Sequence, residues 1–168
     1  MEHEQMLDHR KIYSRHILSY IDKLGITVIR HIKHTLQVLL EYIIIDSGPD
    51  ETARKNCLSA LKKLITVAWP RIDSHCEDIL KTLLRLLCDV TVDLQNSPNK
   101  AKEDLLELTV DCLHYLKRAC SWKFKVAGHR QILKGLNLET NKKLGRLVLI
   151  VFNFLSNWTL DTFRGFAT

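Results

Sequence analysis

The sequence is poor in helix-breaking residues and lacks the common catalytic motifs. Its 168 residues include only three prolines and six glycines, which argues against a β-sandwich or barrel with many turns. It contains neither of the two common glycine-rich phosphate loops, nor the G-x-S-x-G motif of serine hydrolases. The composition therefore favours an all-helical protein, and no motif supports an enzyme.

Close cysteine spacing is also missing. The five cysteines stand at positions 57, 76, 88, 112 and 120, and none forms a C-x-x-C pair. An odd number without tight spacing argues against a secreted disulfide framework. Because each falls within a helical pattern, we expect reduced thiols that pack as small apolar side chains.

Long apolar runs are absent too. The longest, Leu147–Leu155, is interrupted by Asn153 and is shorter than the ~20 residues that a transmembrane helix needs. The segment Met1–Lys11 is polar and charged, unlike a secretory signal peptide. We expect no membrane partner.

Two pairs of residues come nearest to a chemical site. His31 and His34 are three residues apart and could share one face of a helix, but a metal site needs further ligands and none is near in sequence. His75 and Cys76 are adjacent, and adjacent residues on a helix do not face one another. We therefore predict no catalytic residue, metal, cofactor or small-molecule substrate.

What the chain does have is helical periodicity. Apolar residues recur every three or four positions, as on helices with one buried face. This predicts five helices, at about 4–22, 26–45, 50–68, 73–92 and 98–120. In the first, we expect the inward side to carry Met6, Ile12, Tyr13, Ile17 and Tyr20 or Ile21. In the third, the residues expected to face inward are Ala53, Cys57, Leu61, Leu64, Ile65 and Ala68. The fourth is apolar over so wide an arc that we expect neighbours on two sides to bury Ile79, Leu80, Leu83, Leu84, Leu86, Leu87 and Val90.

Local signals mark two of the helix boundaries. Trp69-Pro70 should end the third helix, because the residue before proline avoids the α conformation. Ser97-Pro98 should start the fifth, with serine as the N-cap and proline as the first helical residue.

The helices also repeat. The second and fourth, and the third and fifth, are about 45 residues apart, within the period of HEAT-type repeats. The third helix opens with Asp50 and Arg54, an acid and an arginine of the kind that tie neighbouring HEAT repeats together. We predict an all-α, HEAT-like α-solenoid of stacked antiparallel helix pairs over 1–134, followed by a basic and then apolar tail over 135–168.

Positive charge is concentrated in one segment. The net charge is +6, yet Lys117–Arg146 alone holds nine lysines and arginines against one acid, Glu139. Trp122 and Phe124 alternate with lysines there, as aromatics do in single-strand nucleic-acid binders. A solvated basic linker, a site for an acidic protein partner and a nucleic-acid site are the three interpretations of this segment.

An ordered series of short motifs resembles the C-terminal part of the Tel-two-interacting protein two family, over about Met1–Leu133. The series comprises Leu24-Gly25-Ile26-Thr27-Val28, Arg30-His31, Lys33, Gly48-Pro49, Glu51, Ala53-Arg54, Trp69-Pro70-Arg71, Leu83-Leu84, Leu86, Cys88-Asp89-Val90 and Asp111-Cys112-Leu113.

The resemblance implies a non-enzymatic, HEAT-like scaffold subunit of the Triple T (TTT) co-chaperone complex, in the cytoplasm with a nuclear fraction. Its implied partners are the Tel-two protein and Tel-two-interacting protein one. With the ninety-kilodalton heat-shock chaperone, such an assembly supports the maturation and stability of phosphatidylinositol-3-kinase-related kinases (PIKKs), which act in the DNA damage response. The alternative function is a helical nucleic-acid-binding protein that uses segment 117–146.

Five residues are candidates for partner binding, because interfaces depend on a few aromatic, arginine or aliphatic anchors. They are Arg30, His31, Arg54, Trp69 and Arg71. Two of them have purely structural alternatives. Trp69 could pack between repeats, and Arg54 could form an intramolecular ion pair with an acid of the adjoining repeat.

Overall fold

The computed structural model describes residues 2–45, 50–97 and 99–120. Every regular element in these ranges is helical, which confirms the all-α class for this part of the chain. The helices are α1 Glu2–Leu24, α2 Ile32–Ile44, α3 Thr52–Val67, α4 Trp69–Ile72, α5 Cys76–Asn96 and α6 Lys100–Ala119, with 3-10 turns at Gly25–His31 and Asp73–His75. The expected boundary between 134 and 135, and the tail 135–168, lie outside the described residues.

The helix boundaries differ from the sequence prediction at the turns. The second helix was expected to be continuous from Ile26, but its first turn is the 3-10 segment Gly25–His31. Helix α6 is capped by Asn99, whose side-chain oxygen accepts a hydrogen bond from the Ala101 N–H at 2.9 Å. The expected cap Ser97 instead ends α5, since its N–H donates to the Asp93 carbonyl at 2.8 Å.

Helix α3 lies at the centre of the described helices and packs against α1, α2 and α6. Its side chains are buried around most of its circumference, including all those predicted to face inward. The buried apolar residues are Ala53, Cys57, Leu58, Ala60, Leu61, Leu64 and Ile65. Burial of a leucine or isoleucine side chain contributes about 1.5–3 kcal/mol, so α3 holds much of the core.

Helices α1, α3 and α6 run in the same direction. Lys63 Nζ is 2.7 Å from an Asp22 oxygen, which joins the C-terminal halves of α3 and α1. On the other side of α3, Lys62 Nζ is 2.7 Å from an Asp111 oxygen of α6. A second ion pair lies about three turns earlier on the α1 side, Lys11–Asp50 at 4.0 Å, and about two turns earlier on the α6 side, Lys55–Asp104 at 3.9 Å. On each side, the earlier residue of one helix pairs with the earlier residue of its neighbour and the later with the later, so the three helices run parallel.

The remaining long helices, α2 and α5, pack against each other. Each also packs against the helix that follows it, so α2 pairs with α3 and α5 with α6. Lys102 Nζ, in the first turn of α6, is 2.7 Å from an Asp93 oxygen in the last turn of α5, which joins the ends of that hairpin.

Periodicity predicted the buried side of α1 only in part. Ile21 is fully buried and Ile17 is half-buried, as expected, while the side chain of Met6 is outside the described part of the structure. Ile12, Tyr13 and Tyr20 are 53%, 63% and 56% exposed. The buried residues on α1 include Ser14, whose hydroxyl accepts a hydrogen bond from the Asn56 amide of α3 at 3.4 Å. Helix α3 presents polar groups to α1, so the residues that meet it are partly polar, and the aromatic side of α1 is left outside.

Gly25 has a backbone conformation that disfavours any residue with a side chain. Its φ of +50° lies in the left-handed region, while a Cβ built there would have no heavy atom within 4 Å. Gly25→Ala should therefore cost about 1–2 kcal/mol through backbone strain alone, measured as a loss in the free energy of unfolding in urea. Gly25→Asn should cost less, since asparagine tolerates this conformation. Equal stability of the alanine variant and the wild type would contradict this prediction.

Candidate functional site

Arg54 connects the end of α2 to the start of α3. Its Nε and Nη2 donate to the carbonyls of Ile45 and Ile44 at 3.1 and 2.9 Å. Its Nη1 lies 3.4 Å from both carboxylate oxygens of Glu51, the N-cap residue of α3. One guanidinium thus satisfies carbonyls at the end of one helix and neutralises the acid that starts the next.

This geometry gives Arg54 a structural role. Only 6% of the residue and 2% of Glu51 are exposed, so the guanidinium is directed into the protein. The alternative of an intramolecular ion pair agrees with the structure, but the acid is Glu51 on the same helix rather than one of an adjoining repeat. Asp50 instead pairs with Lys11 of α1, and its pKa is lowered chiefly by the hydrogen bond from the Thr52 hydroxyl.

The other four candidates lie at the opposite end of α3. Arg30 and His31 belong to the 3-10 turn Gly25–His31, and Trp69 and Arg71 belong to α4. Since α1 and α3 are parallel, the turn that follows α1 and the helix that follows α3 are at the same end. We call these two segments, Gly25–His31 and Trp69–Ile72, the turn edge.

Trp69 is the most prominent side chain of the turn edge. It is 63% exposed, which places it at the surface rather than in packing between helices. The backbone around Trp69 is fixed by its neighbours. Ala68 and Ile72 are fully buried, and the Arg71 N–H donates to the Ala68 carbonyl at 2.9 Å. Pro70, in the first turn of α4, restricts the backbone further. Trp69 is therefore an exposed aromatic on a well-anchored turn.

The two segments of the turn edge carry both exposed apolar area and cations. Ile26 is 61% exposed, and Arg30, His31 and Arg71 are exposed as well. Sequence reasoning missed Ile26; the signal was an isoleucine directly after the Gly25 break, outside the regular apolar pattern. Exposed tryptophan and arginine side chains are enriched among the anchors of protein interfaces, so each segment of the turn edge carries residues suited to a protein partner.

The described residues include two unreactive thiols and no candidate metal site. Burial raises the pKa of the Cys57 and Cys112 thiols to about 12, so both stay protonated and poorly nucleophilic at neutral pH. No group of three or more potential metal ligands occurs in the described part of the chain. Nor is any helix there both long enough and apolar enough to cross a bilayer.

The basic segment 117–146 begins inside the described helices. Lys117 is 4% exposed and its pKa is lowered by burial. The first residue of the segment is therefore a buried residue of α6 and is not part of an exposed basic surface. Arg118 is exposed. The rest of the segment, including Trp122 and Phe124, lies beyond the described residues.

Comparison with curated proteins gives a consistent set of relatives. Over 125 residues, or 74% of its length, the chain is 37% identical to human TELO2-interacting protein 2. It is 34% identical over the same length to the mouse and rat proteins of that name. The match covers 25% of the human protein and 24% of the rodent ones, so the chain spans about a quarter of the length of these relatives. The partial match to the family is thereby confirmed.

The chain matches none of the protein families described by sequence profiles. No solved structure matches it either.

The Arg54 cluster predicts a large stability effect. Arg54→Met should lower the free energy of unfolding by about 3–5 kcal/mol, because it removes the buried cation that pairs with Glu51 and the donors to the Ile44 and Ile45 carbonyls. Lys81→Met is the matched control, since it removes an exposed pair with Glu77, and exposed ion pairs contribute little to stability. Chemical denaturation measures both. A loss for Arg54→Met as small as that for Lys81→Met would contradict the structure.

The buried thiols predict slow alkylation. At pH 8, Cys57 and Cys112 should react with iodoacetamide far more slowly than the half-buried Cys88, and all three should react at similar rates in urea. Peptide mapping by mass spectrometry at successive times measures each site separately. Rapid native labelling of Cys57 or Cys112 would show that these thiols are not buried.

Proposed function

This chain carries a region related to the TELO2-interacting protein 2 family, and we propose that it acts as a non-enzymatic scaffold subunit that binds TELO2. The observation that carries the proposal is the match of 125 residues at up to 37% identity, since those relatives are named for an interaction with TELO2. The turn edge gives the proposal a surface, because an anchored, exposed Trp69 beside Arg71 is suited to docking rather than to chemistry.

The finer form of the proposal places the chain in the Triple T complex. There it would bind the Tel-two protein, which is TELO2, and Tel-two-interacting protein one. With the ninety-kilodalton heat-shock chaperone, the assembly would support the maturation and stability of PIKKs, in the cytoplasm and in part in the nucleus. The support for this form is the family resemblance of the ordered motifs together with the identity of the matched relatives.

We further propose that the helices form a HEAT-like solenoid. Supporting this, α1, α3 and α6 are parallel neighbours, while α2 and α5 each pack against the following helix and against each other. In a stack of antiparallel pairs, first helices contact first helices and second helices contact second helices. The pairs α2–α3 and α5–α6 follow that rule, and α1 takes the place of a second helix from a preceding pair.

Reciprocal co-purification tests the proposed function. The tagged full chain should recover TELO2 and Tel-two-interacting protein one from cells, and tagged TELO2 should recover the chain. Depletion of the chain should lower the steady-state level of PIKKs, and re-expression should restore it. Recovery of neither protein in either direction would overturn the proposed function.

Two variants test the turn edge. Trp69→Ala with Arg71→Glu should reduce recovery of TELO2 about tenfold or more, because interface anchors of this type contribute about 2 kcal/mol or more. Arg85→Glu is the matched control, an exposed arginine on α5 whose reversal should leave recovery unchanged. Undiminished recovery by the double variant would place the TELO2 contact elsewhere while leaving the scaffold function intact.

A further inference from the structure

Two ion pairs fix how α3 and α6 are aligned. Lys55 Nζ is 3.9 Å from an Asp104 oxygen, and Lys62 Nζ is 2.7 Å from an Asp111 oxygen. The partners are 49 residues apart in both pairs, and the second pair follows the first by seven residues on each helix. Because seven residues are close to two full turns of an α-helix, residues seven positions further on also lie level with each other.

The next positions in this alignment are Trp69 and Arg118. Trp69 lies seven residues after Lys62, and Arg118 lies seven residues after Asp111. Helix α3 ends at Val67, but α4 begins at Trp69 and packs against α6, so the alignment continues past the end of α3. Trp69 is 63% exposed, and Arg118 is exposed as well. An exposed tryptophan and an exposed arginine thus follow two ion pairs.

Arg71 supplies a second exposed cation, two residues after Trp69 in α4. Among the residues that the structure describes, neither Arg71 nor Arg118 belongs to an ion pair. We call Trp69, Arg71 and Arg118 the tryptophan surface; it joins part of the turn edge to the end of α6. An exposed guanidinium is suited to a carboxylate, which it can bind through two parallel hydrogen bonds.

The acids at this end of the helices are engaged elsewhere. Asp111 holds Lys62 at 2.7 Å, and Glu77 holds Lys81 at 2.7 Å. Asp78 lies in the first turn of α5, where a carboxylate is stabilised by the helix dipole. The tryptophan surface therefore carries positive charge that a partner can complement.

A protein segment suits this surface better than a nucleic acid does. Nucleic-acid affinity comes mainly from lysines and arginines that neutralise several phosphates, and this surface offers two arginines. Lys117, the neighbour of Arg118, is 4% exposed and adds no surface charge. Tryptophan and arginine are instead among the residues enriched as anchors of protein interfaces.

We propose that the tryptophan surface binds an acidic protein segment, in which an apolar side chain covers Trp69 and carboxylates pair with Arg118 and Arg71. This inference rests on the proposed function, because it takes TELO2 as the protein that carries the segment. It adds the end of α6 to the surface and states which side chains the partner must present. The basic segment 117–146 does not complement the surface, because its charge has the same sign.

Zero-length crosslinking tests the contact with a carboxylate directly. Arg118→Lys keeps the positive charge and supplies a primary amine, which a carbodiimide joins only to a carboxylate that touches it. The tagged full chain with this substitution is purified together with TELO2, treated with carbodiimide and digested for mass spectrometry. The new lysine should be joined to an aspartate or glutamate of TELO2.

Charge reversal at the same position tests the strength of the contact. Arg118→Glu should reduce recovery of TELO2 about tenfold or more, because it places like charges opposite each other. Arg118→Lys should retain most of the recovery. Arg85→Glu, at an exposed arginine of α5, is the matched control and should leave recovery unchanged. Recovery by the wild type should fall as salt rises, and thermal unfolding checks that every variant is folded.

The outcomes separate this inference from the proposed function. Failure of the wild type to recover TELO2 would overturn both. Equal recovery of TELO2 by the wild type and by Arg118→Glu would overturn the inference alone. Crosslinks from the new lysine to carboxylates of the chain itself, including those of residues 121–168, would also overturn it. Loss of recovery after nuclease treatment would do the same, since it would assign the surface to a nucleic acid.

Discussion

The burial of α3 on three sides is the constraint on which the rest of the described structure depends. A helix surrounded in this way must meet each neighbour with side chains suited to it. Apolar residues such as Leu61 and Leu64 fill the interior, while Lys62 and Lys63 point to the two flanking helices and pair with Asp111 and Asp22. Arg54 links the end of α2 to the start of α3 through the carbonyls of Ile44 and Ile45 and the Glu51 carboxylate.

The position of the turn edge follows from this arrangement. Because α1 and α3 are parallel, the segments that follow them, the 3-10 turn and α4, lie at the same end of these helices. Because α3 meets α1 with polar groups such as Asn56, the tyrosines Tyr13 and Tyr20 of α1 remain exposed.

The outcome for individual residues shows where sequence reasoning succeeds. The inward residues predicted for α3 and α5 are buried. A helix that is apolar over a wide arc must bury that arc against neighbouring helices to remove it from water. On α1 the same reasoning was right for Ile21, given as the alternative to Tyr20, but wrong for Ile12 and Tyr13, because α1 has more apolar residues than its single large contact with α3 can cover. The candidates Arg54 and Trp69, which the sequence placed at the start and at the end of the third helix, have opposite environments, one buried and one exposed.

By itself, the sequence determined the all-helical class, the number of long helices and the relatedness to the TELO2-interacting protein 2 family, because periodicity and ordered motifs are local properties of the chain. Only the tertiary structure decided which apolar residues are exposed, that Arg54 closes a corner with Glu51, and that the 3-10 turn and α4 share one end. Those features depend on which helices become neighbours and in which direction they run. Contacts between residues distant in sequence set both, and no local pattern of residues contains them.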